Sequence, residues 1–159
     1  MTIAKHGVVH QSWAVSVFSI CGDTIDMTFK ILLAEDDEVT QQIVQSLLSG
    51  FGNVALTVTS DGREALEAAL MQHFDLMIFD QNMPHINGDR VIRHLRAGNS
   101  ANRDARVIRF TAEAEVLRQP LPGCDGDIVM PKPIRGADFI AVIEGLIQTR
   151  PATPEASTA

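Results

Sequence analysis

Short apolar runs and stretches of helical periodicity alternate along the chain from Phe29 onward. The apolar runs predict strands at 31–34, 54–58, 75–79, 106–110 and 127–130. Between and after them, apolar residues recur at the spacing of an amphipathic helix, over about 39–48, 62–73, 89–97, 112–118 and 136–148. Five strands that alternate with helices predict an α/β fold with a parallel sheet, helices on both of its faces and right-handed crossovers.

Several helix boundaries carry signals of their own. Asp61 is placed to cap the second helix. Gly98 follows the third helix, and Pro120 and Pro122 stop the short fourth one. These residues predict where the connecting loops begin.

Residues 27–150 hold the whole alternation and form the predicted domain. Residues 1–26 have no place in it, and Met27 stands directly before the first strand. We therefore expect an N-terminal extension that is disordered or belongs to an over-extended gene prediction; the rival interpretation is an extra strand or helix on the sheet edge. Residues 151–159, PATPEASTA, are expected to form a disordered tail.

The composition narrows the class of protein. A chain of 159 residues, 45% of them hydrophobic, suits one domain with a real core. Its net charge of −7 gives no overall basic surface for nucleic acid. The longest early apolar stretch, 13–21, is far shorter than the roughly 20 residues of a membrane helix, so no membrane partner is expected. Cys21 and Cys124 have no disulfide framework or metal-ligand spacing, which favours a reducing, cytoplasmic setting.

Polar side chains stand where the predicted strands end. In an open parallel sheet the carboxyl ends of the strands converge on one rim, where ligands bind. The polar residues at the carboxyl ends of the predicted strands are Glu35, Asp36 and Asp37 after the first strand, Asp80 after the third, Thr111 after the fourth and Lys132 after the fifth. Acids, a hydroxyl and an ammonium are therefore expected to meet at one edge of the sheet.

This combination favours phosphoryl chemistry. Clustered carboxylates repel one another unless a cation joins them. Mg²⁺ suits such a place, because it takes oxygen ligands, among them one or two carboxylates and phosphate oxygens. A carboxylate can attack phosphorus to form an aspartyl phosphate, while the metal ion, Lys132 and Thr111 neutralise the oxygens of the transferred group.

The residues at these positions carry a family resemblance. The stretches ILLAEDDEV at 31–39 and DQNMPHING at 80–88 are followed by Thr111-Ala112 and Lys132-Pro133. From Lys30 to about Gln148 the chain resembles a response regulator receiver domain, especially those attached to hybrid sensor kinases. The resemblance implies a flavodoxin-like (βα)5 doubly wound parallel sheet with strand order 2-1-3-4-5.

The resemblance also implies a role for each residue of the reactive site. Asp80 resembles the phosphoacceptor, and Thr111 and Lys132 resemble the groups that complete the site. Asp37 starts the first helix in the family register and is interpreted as its cap. The Lys132-Pro133 peptide is expected to be cis, as in the family.

The implied Mg²⁺ site uses the acidic residues. Asp36 resembles the direct metal ligand, and Glu35 resembles the acid that acts mainly through water. The resemblance makes Asp80 a ligand as well, and Asn82 resembles the position whose backbone carbonyl reaches the metal.

Two positions depart from the family pattern. Receivers usually carry Tyr or Phe three residues before the Lys, as a rotamer switch; here that residue is Val129, and the chain has no Tyr. Arg109 is an unusual charge near the end of an interior strand. We hypothesise that Arg109 occupies space that the aromatic would fill, and that the surface around the fifth strand signals differently.

By resemblance, the chain is a phosphoacceptor rather than an enzyme. The expected partners are a histidine kinase or histidine phosphotransfer protein as donor and an unknown downstream protein. A stand-alone receiver is expected, because little sequence remains for an output domain. A receiver-like binding module with vestigial phosphorylation is an alternative that Val129 favours. A second alternative is a haloacid-dehalogenase-like phosphatase. Those enzymes carry a second acid two residues after the nucleophile, where this chain has Asn82, which argues against this class.

Overall fold

Strands and helices alternate in the computed structural model, which describes residues 28–113 and 126–149. The strands are β1 (Phe29–Ala34), β2 (Val54–Thr59), β3 (Leu76–Asp80), β4 (Arg106–Thr111) and β5 (Ile128–Pro131). The helices are α1 (Glu38–Leu48), α2 (Gly62–Met71), α3 (Gly88–Ala97) and α4 (Gly136–Gln148). Each of these elements was predicted from the sequence, with boundaries that differ by about two residues or fewer.

The five strands form one parallel sheet in the order β2-β1-β3-β4-β5. This is the flavodoxin-like order that the family resemblance implies. β1 and β3 lie next to each other, and β4 flanks β3 on the other side. The carboxyl ends of β1, β3 and β4 are therefore neighbours at one rim of the sheet.

The core has two halves, one on each face of the sheet. Met77 and Phe79 of β3 pack with Val91 of α3 and other apolar residues on one face, which α2 and α3 cover. Leu76 and Ile78 pack into the other half, which α1 and α4 cover. Because β3 is buried on both faces, its residues from Leu76 to Phe79 are all apolar, and Asp80 is its first polar side chain.

Side-chain caps fix the start of three helices. The carboxylate of Asp37 accepts hydrogen bonds from the backbone N–H and the hydroxyl of Thr40, at 2.9 and 2.6 Å. Asp61 accepts from the backbone N–H groups of the first turn of α2, and Asn87 caps α3 in the same way. The predicted capping roles of Asp37 and Asp61 are confirmed.

Asn102 is a buried polar residue that the sequence did not single out. Its amide donates to the carbonyls of Ala69 and Gln72, at 2.6 and 2.7 Å, and accepts from the N–H of Phe74 at 2.7 Å. It thus satisfies backbone groups between α2 and β3, and fixes where β3 enters the sheet.

Some predictions lie outside the described residues. These are the extension at 1–26, residues 114–118 of the short helix predicted at 112–118, and the tail at 151–159. The first two residues of that predicted helix, Ala112 and Glu113, are described and are not helical. Within residues 28–113 and 126–149, none of the helices is long and apolar enough to cross a membrane.

Candidate functional site

The rim at the carboxyl ends of the strands gathers the side chains that the sequence predicted to form the site. Glu35 directly follows β1, Asp80 ends β3, Thr111 ends β4 and Lys132 directly follows β5. Parallel pairing sets these ends side by side, so residues distant in sequence become neighbours.

Asp80 is a carboxylate at the end of a wholly buried strand. Its residue is only 4% exposed, and each oxygen has a partner. Oδ2 accepts a hydrogen bond from the backbone N–H of Asn82 at 3.1 Å, and Oδ1 lies 2.8 Å from Nζ of Lys132. These contacts offset the desolvation of the carboxylate.

Lys132 links the two buried acids of the rim. Its Nζ lies 2.8 Å from Oδ1 of Asp80 and donates to Oε1 of Glu35 at 2.9 Å. Partial burial by itself lowers the pKa of Lys132, but the hydrogen bonds and charges of Asp80 and Glu35 outweigh it and raise the pKa above its usual value. The amine is therefore an ammonium at neutral pH. The Lys132-Pro133 peptide is cis, as the resemblance implies.

Glu35 is fully buried, and its surroundings favour the neutral form of its carboxyl. Burial raises the pKa of its carboxyl, the hydrogen bond from Lys132 opposes this rise, and repulsion from Asp80 adds to it. The Oε2 atom lies 2.8 Å from Nζ of Lys132 but makes no hydrogen bond. Glu35 thus retains an acceptor that is not fully used.

Asp36 completes an acidic cluster that could hold a metal ion. One carboxylate oxygen each from Glu35, Asp36 and Asp80 lies within 4.8 Å of the other two. Asp36 is exposed, whereas Glu35 and Asp80 are buried. The all-oxygen donor set, and the Oε2 of Glu35 that accepts no hydrogen bond, suit a hard divalent cation such as Mg²⁺.

Thr111 is buried at the end of β4, and its hydroxyl is engaged locally. Oγ1 accepts a hydrogen bond from the backbone N–H of Glu113 at 3.0 Å and lies 3.4 Å from the carbonyl oxygen of the same residue. The backbone carbonyl of Thr111 accepts from the N–H of Lys132 at 2.8 Å. Thr111 therefore shares the rim with Lys132, while its hydroxyl turns toward the loop that follows β4.

The loop from Gln81 to Asn87 is held closely against the rim. A Cβ atom at Gly88 would come within 2.5 Å of the carbonyl oxygen of Asp80, so the start of α3 approaches β3 as only glycine allows. On the other side of the loop, a Cβ atom at Gly62 would lie 1.8 Å from the carbonyl oxygen of Ile86. His85 adopts a positive φ of 65° within this loop.

Sequence reasoning missed two contacts near the site. Nε2 of Gln41 donates to the backbone carbonyl of Glu35 at 2.6 Å and so ties α1 to the start of the acidic cluster. Arg109 was noted in the sequence as an unusual charge in an interior strand. Its Nη1 lies 3.3 Å from Oδ1 of Asp89, in the first turn of α3. Asp89 follows Gly88 directly, but nothing in the sequence connects it to Arg109.

The sequence is similar to those of several response regulators. The chain is 30% identical over 131 residues to response regulator MprA of Mycolicibacterium vanbaalenii, in an alignment that covers 81% of this chain and 54% of MprA. It is also 30% identical over 105 residues to chemotaxis protein CheY of Pseudomonas aeruginosa, covering 64% of this chain and 84% of CheY. The chain spans about half the length of MprA and 8% of sensor protein EvgS of Escherichia coli O157:H7.

Solved structures show the same fold. The receiver domain of sensor histidine kinase PA1611 from Pseudomonas aeruginosa PAO1, which has a magnesium ion coordinated in its active-site cleft, superposes with a TM-score of 0.67 at 25% identity. This likeness covers 77% of this chain and 99% of that domain. Residues 31–144 match the sequence pattern of the response regulator receiver domain. The chain therefore belongs to the response regulator receiver domain family.

Proposed function

We propose that this receiver accepts a phosphoryl group on Asp80 from a phosphohistidine, with Mg²⁺ bound, and signals by protein–protein contact. The rim cluster carries the proposal: carboxylate oxygens of Glu35, Asp36 and Asp80 lie within 4.8 Å of one another, and the ammonium of Lys132 lies 2.8 Å from Asp80. Receiver domains are signalling phosphoacceptors rather than enzymes. Family membership thus argues against the haloacid-dehalogenase-like alternative.

In the proposed reaction, a carboxylate oxygen of Asp80 attacks the phosphorus of the phosphohistidine. The new bond joins that oxygen to phosphorus, the phosphorus–nitrogen bond breaks, and its electron pair returns to the imidazole of the donor. Lys132 stays close enough to neutralise the phosphoryl oxygens as their charge develops. Because the transition state is loose, positioning and charge neutralisation supply most of the rate enhancement.

The proposed Mg²⁺ ligands are Asp36, Asp80 and the backbone carbonyl of Asn82, with Glu35 acting mainly through water. When bound, the ion would offset the mutual repulsion of the carboxylates and the charge of the phosphoryl oxygens. The magnesium ion in the active-site cleft of the related PA1611 receiver supports a Mg²⁺ site at this rim.

Phosphorylation is proposed to act through Thr111. Its hydroxyl now bonds to the backbone of Glu113 and would turn toward a phosphoryl oxygen on Asp80, which shifts an existing equilibrium of the adjoining loops. The donor is a histidine kinase or a histidine phosphotransfer protein, and the reader of the new state is a downstream protein. We place this exchange in the cytoplasm, and the proposal holds whether the receiver acts alone or is joined to another domain.

Acetyl phosphate tests the proposal directly. With Mg²⁺, the wild-type chain should gain one phosphate, about 80 Da by intact mass spectrometry, as expected for this modification. The Asp80→Asn variant should gain none, and Asp104→Asn, which changes an exposed carboxylate away from the rim, should react as the wild type does. An adduct of equal size on Asp80→Asn would contradict the proposal.

The alternative of vestigial phosphorylation makes a different prediction. A receiver that signals through its phosphorylated state should change its affinity for a partner when beryllofluoride, which mimics the phosphoryl group, occupies Asp80. A binding module with vestigial phosphorylation should bind the partner equally with and without beryllofluoride. The departure at Val129 makes this comparison necessary.

A further inference from the structure

Arg109 is a charged residue in the interior of the sheet. It lies on β4 between Phe79 of β3 and Val129 of β5, and it is 3% exposed. Its neighbours in the register are apolar, so neither strand offers it a partner for its charge. A buried guanidinium destabilises a protein unless it is paired and hydrogen-bonded.

The pairing that Arg109 finds is incomplete. Nη1 lies 3.3 Å from Oδ1 of Asp89, and both side chains are largely shielded from water, at 4% and 17% exposure. Nε of Arg109 is buried without a hydrogen-bond partner. A well-packed apolar residue would often stabilise such a position at least as well. Stability alone therefore gives a poor account of this arginine.

The ion pair connects two elements of the proposed site. Arg109 stands two residues before Thr111, so both side chains project toward the same face of β4. Asp89 directly follows Gly88, which packs against the carbonyl oxygen of Asp80. The pair thus bridges the strand that carries Thr111 and the helix that begins beside the phosphoacceptor.

We propose that the ion pair of Arg109 with Asp89 is a conformational restraint: it favours the state in which Thr111 faces Glu113 and so opposes binding of a phosphoryl group at Asp80. This inference rests on the proposed function of Asp80. The ion pair occurs together with the hydrogen bond from the Glu113 N–H to the Thr111 hydroxyl, at 3.0 Å. A contact that belongs to one conformation stabilises it, so its loss shifts the population toward the other. Breaking the pair should free Thr111 to face Asp80.

A beryllofluoride titration in the presence of Mg²⁺ tests this direction. Asp89→Asn and Arg109→Met should each lower the Kd for beryllofluoride about fivefold or more, the lower end of usual coupling between sites. The double variant should gain no more than the stronger single variant, because both act through one contact. Arg109→Lys, which keeps the charge, should show a smaller gain.

Two further variants separate this restraint from structural damage. Adding Asp89→Asn to the Thr111→Val variant should not change the Kd of that variant. The Thr111 hydroxyl, through which loss of the ion pair is proposed to act, is absent from both proteins. Asp127→Asn weakens the ion pair of Arg96 with Asp127, 3.2 Å long and at the opposite end of the sheet, and should also leave the Kd unchanged. If Arg109→Met does not fold, Asp89→Asn decides the matter alone.

An unchanged or raised Kd in Asp89→Asn, or an equal gain in Asp127→Asn, would overturn the inference. Wild-type binding separates this failure from that of the proposed function. A wild-type chain that takes neither beryllofluoride nor phosphate removes both proposals, whereas normal wild-type binding with an unaffected Asp89→Asn variant removes only the role of Arg109.

Discussion

Nζ of Lys132 lies 2.8 Å from Oδ1 of Asp80, at a rim where a second buried carboxylate, Glu35, contacts the same ammonium. One cation thus balances two acids that would otherwise repel each other. Lys132 is therefore expected to contribute both to the stability of the rim and to the proposed chemistry.

Replacement of Lys132 by an uncharged residue should destabilise the protein, and added Mg²⁺ should partly restore the stability. Lys132→Met leaves two acids without their partner, and we expect the free energy of unfolding to fall by about 1–3 kcal/mol. This is less than the roughly 3–5 kcal/mol of a fully buried broken pair, because the Lys132 side chain is 22% exposed. Urea unfolding with and without Mg²⁺ measures both effects, since an ion that binds only the folded state stabilises it. Arg135→Met, at an exposed position three residues on, is the control and should change neither quantity appreciably.

The close approach of Gly88 to β3 predicts opposite outcomes for two glycine substitutions. Gly88→Ala would put a methyl group 2.5 Å from the carbonyl oxygen of Asp80, and should lower the unfolding free energy by about 1–3 kcal/mol and slow phosphorylation by acetyl phosphate. Gly145 lies within α4, and a methyl group added there would meet nothing within 4 Å, so Gly145→Ala should stabilise by about 0.5–1 kcal/mol. Thermal unfolding compares the two variants. If Gly88→Ala is as stable as the wild type, the loop before α3 can move to accept the methyl group, and the prediction is wrong.

The composition of the rim could be predicted from the sequence, because the carboxyl ends of all strands in a parallel sheet lie at the same edge. Glu35, Asp80 and Lys132 each follow an apolar run, so once the strands and their parallel pairing were predicted, their proximity followed. The resemblance supplied the strand order, which periodicity alone does not give.

Contacts between side chains on distant elements could not be predicted in the same way. The pair of Arg109 with Asp89 and the orientation of the Thr111 hydroxyl depend on rotamers and on a register between separate elements. Asn102 has only exposed neighbours in sequence on either side, at Ala101 and Arg103, and no motif marks it as buried. Its role emerges only when the loop before β4 meets the end of α2.

Asn102 is expected to contribute strongly to stability without touching the rim. Asn102→Ala would leave two carbonyls and the N–H of Phe74 without their partner, and should lower the unfolding free energy by about 2–4 kcal/mol. Beryllofluoride affinity of the folded fraction should stay the same. Asn99→Ala, at an exposed position in the same loop, is the matched control. Equal stability of the two variants in urea would contradict this role.

The stability of the metal-free protein should depend on pH through Glu35. Burial and repulsion from Asp80 raise the pKa of Glu35 above the usual 4.5, although the Lys132 hydrogen bond opposes the rise. In the window above 4.5 the folded state binds more protons than the unfolded state, so the free energy of unfolding falls as pH rises through the raised pKa. Urea unfolding across this window without divalent ions should show the fall in the wild type and its absence in Glu35→Gln.

Asp37 provides a control of opposite sign for this titration. The hydrogen bonds from the side chain and the backbone of Thr40 lower the pKa of Asp37 below its usual 3.8. Its contribution is therefore present above 3.8 and is lost as pH falls through the lowered pKa. Asp37→Asn should change the acid side of the stability profile and leave the fall above 4.5 intact. If Glu35→Gln retains that fall, its source lies elsewhere, and the buried carboxyl of Glu35 does not control the charge balance of the metal-free rim.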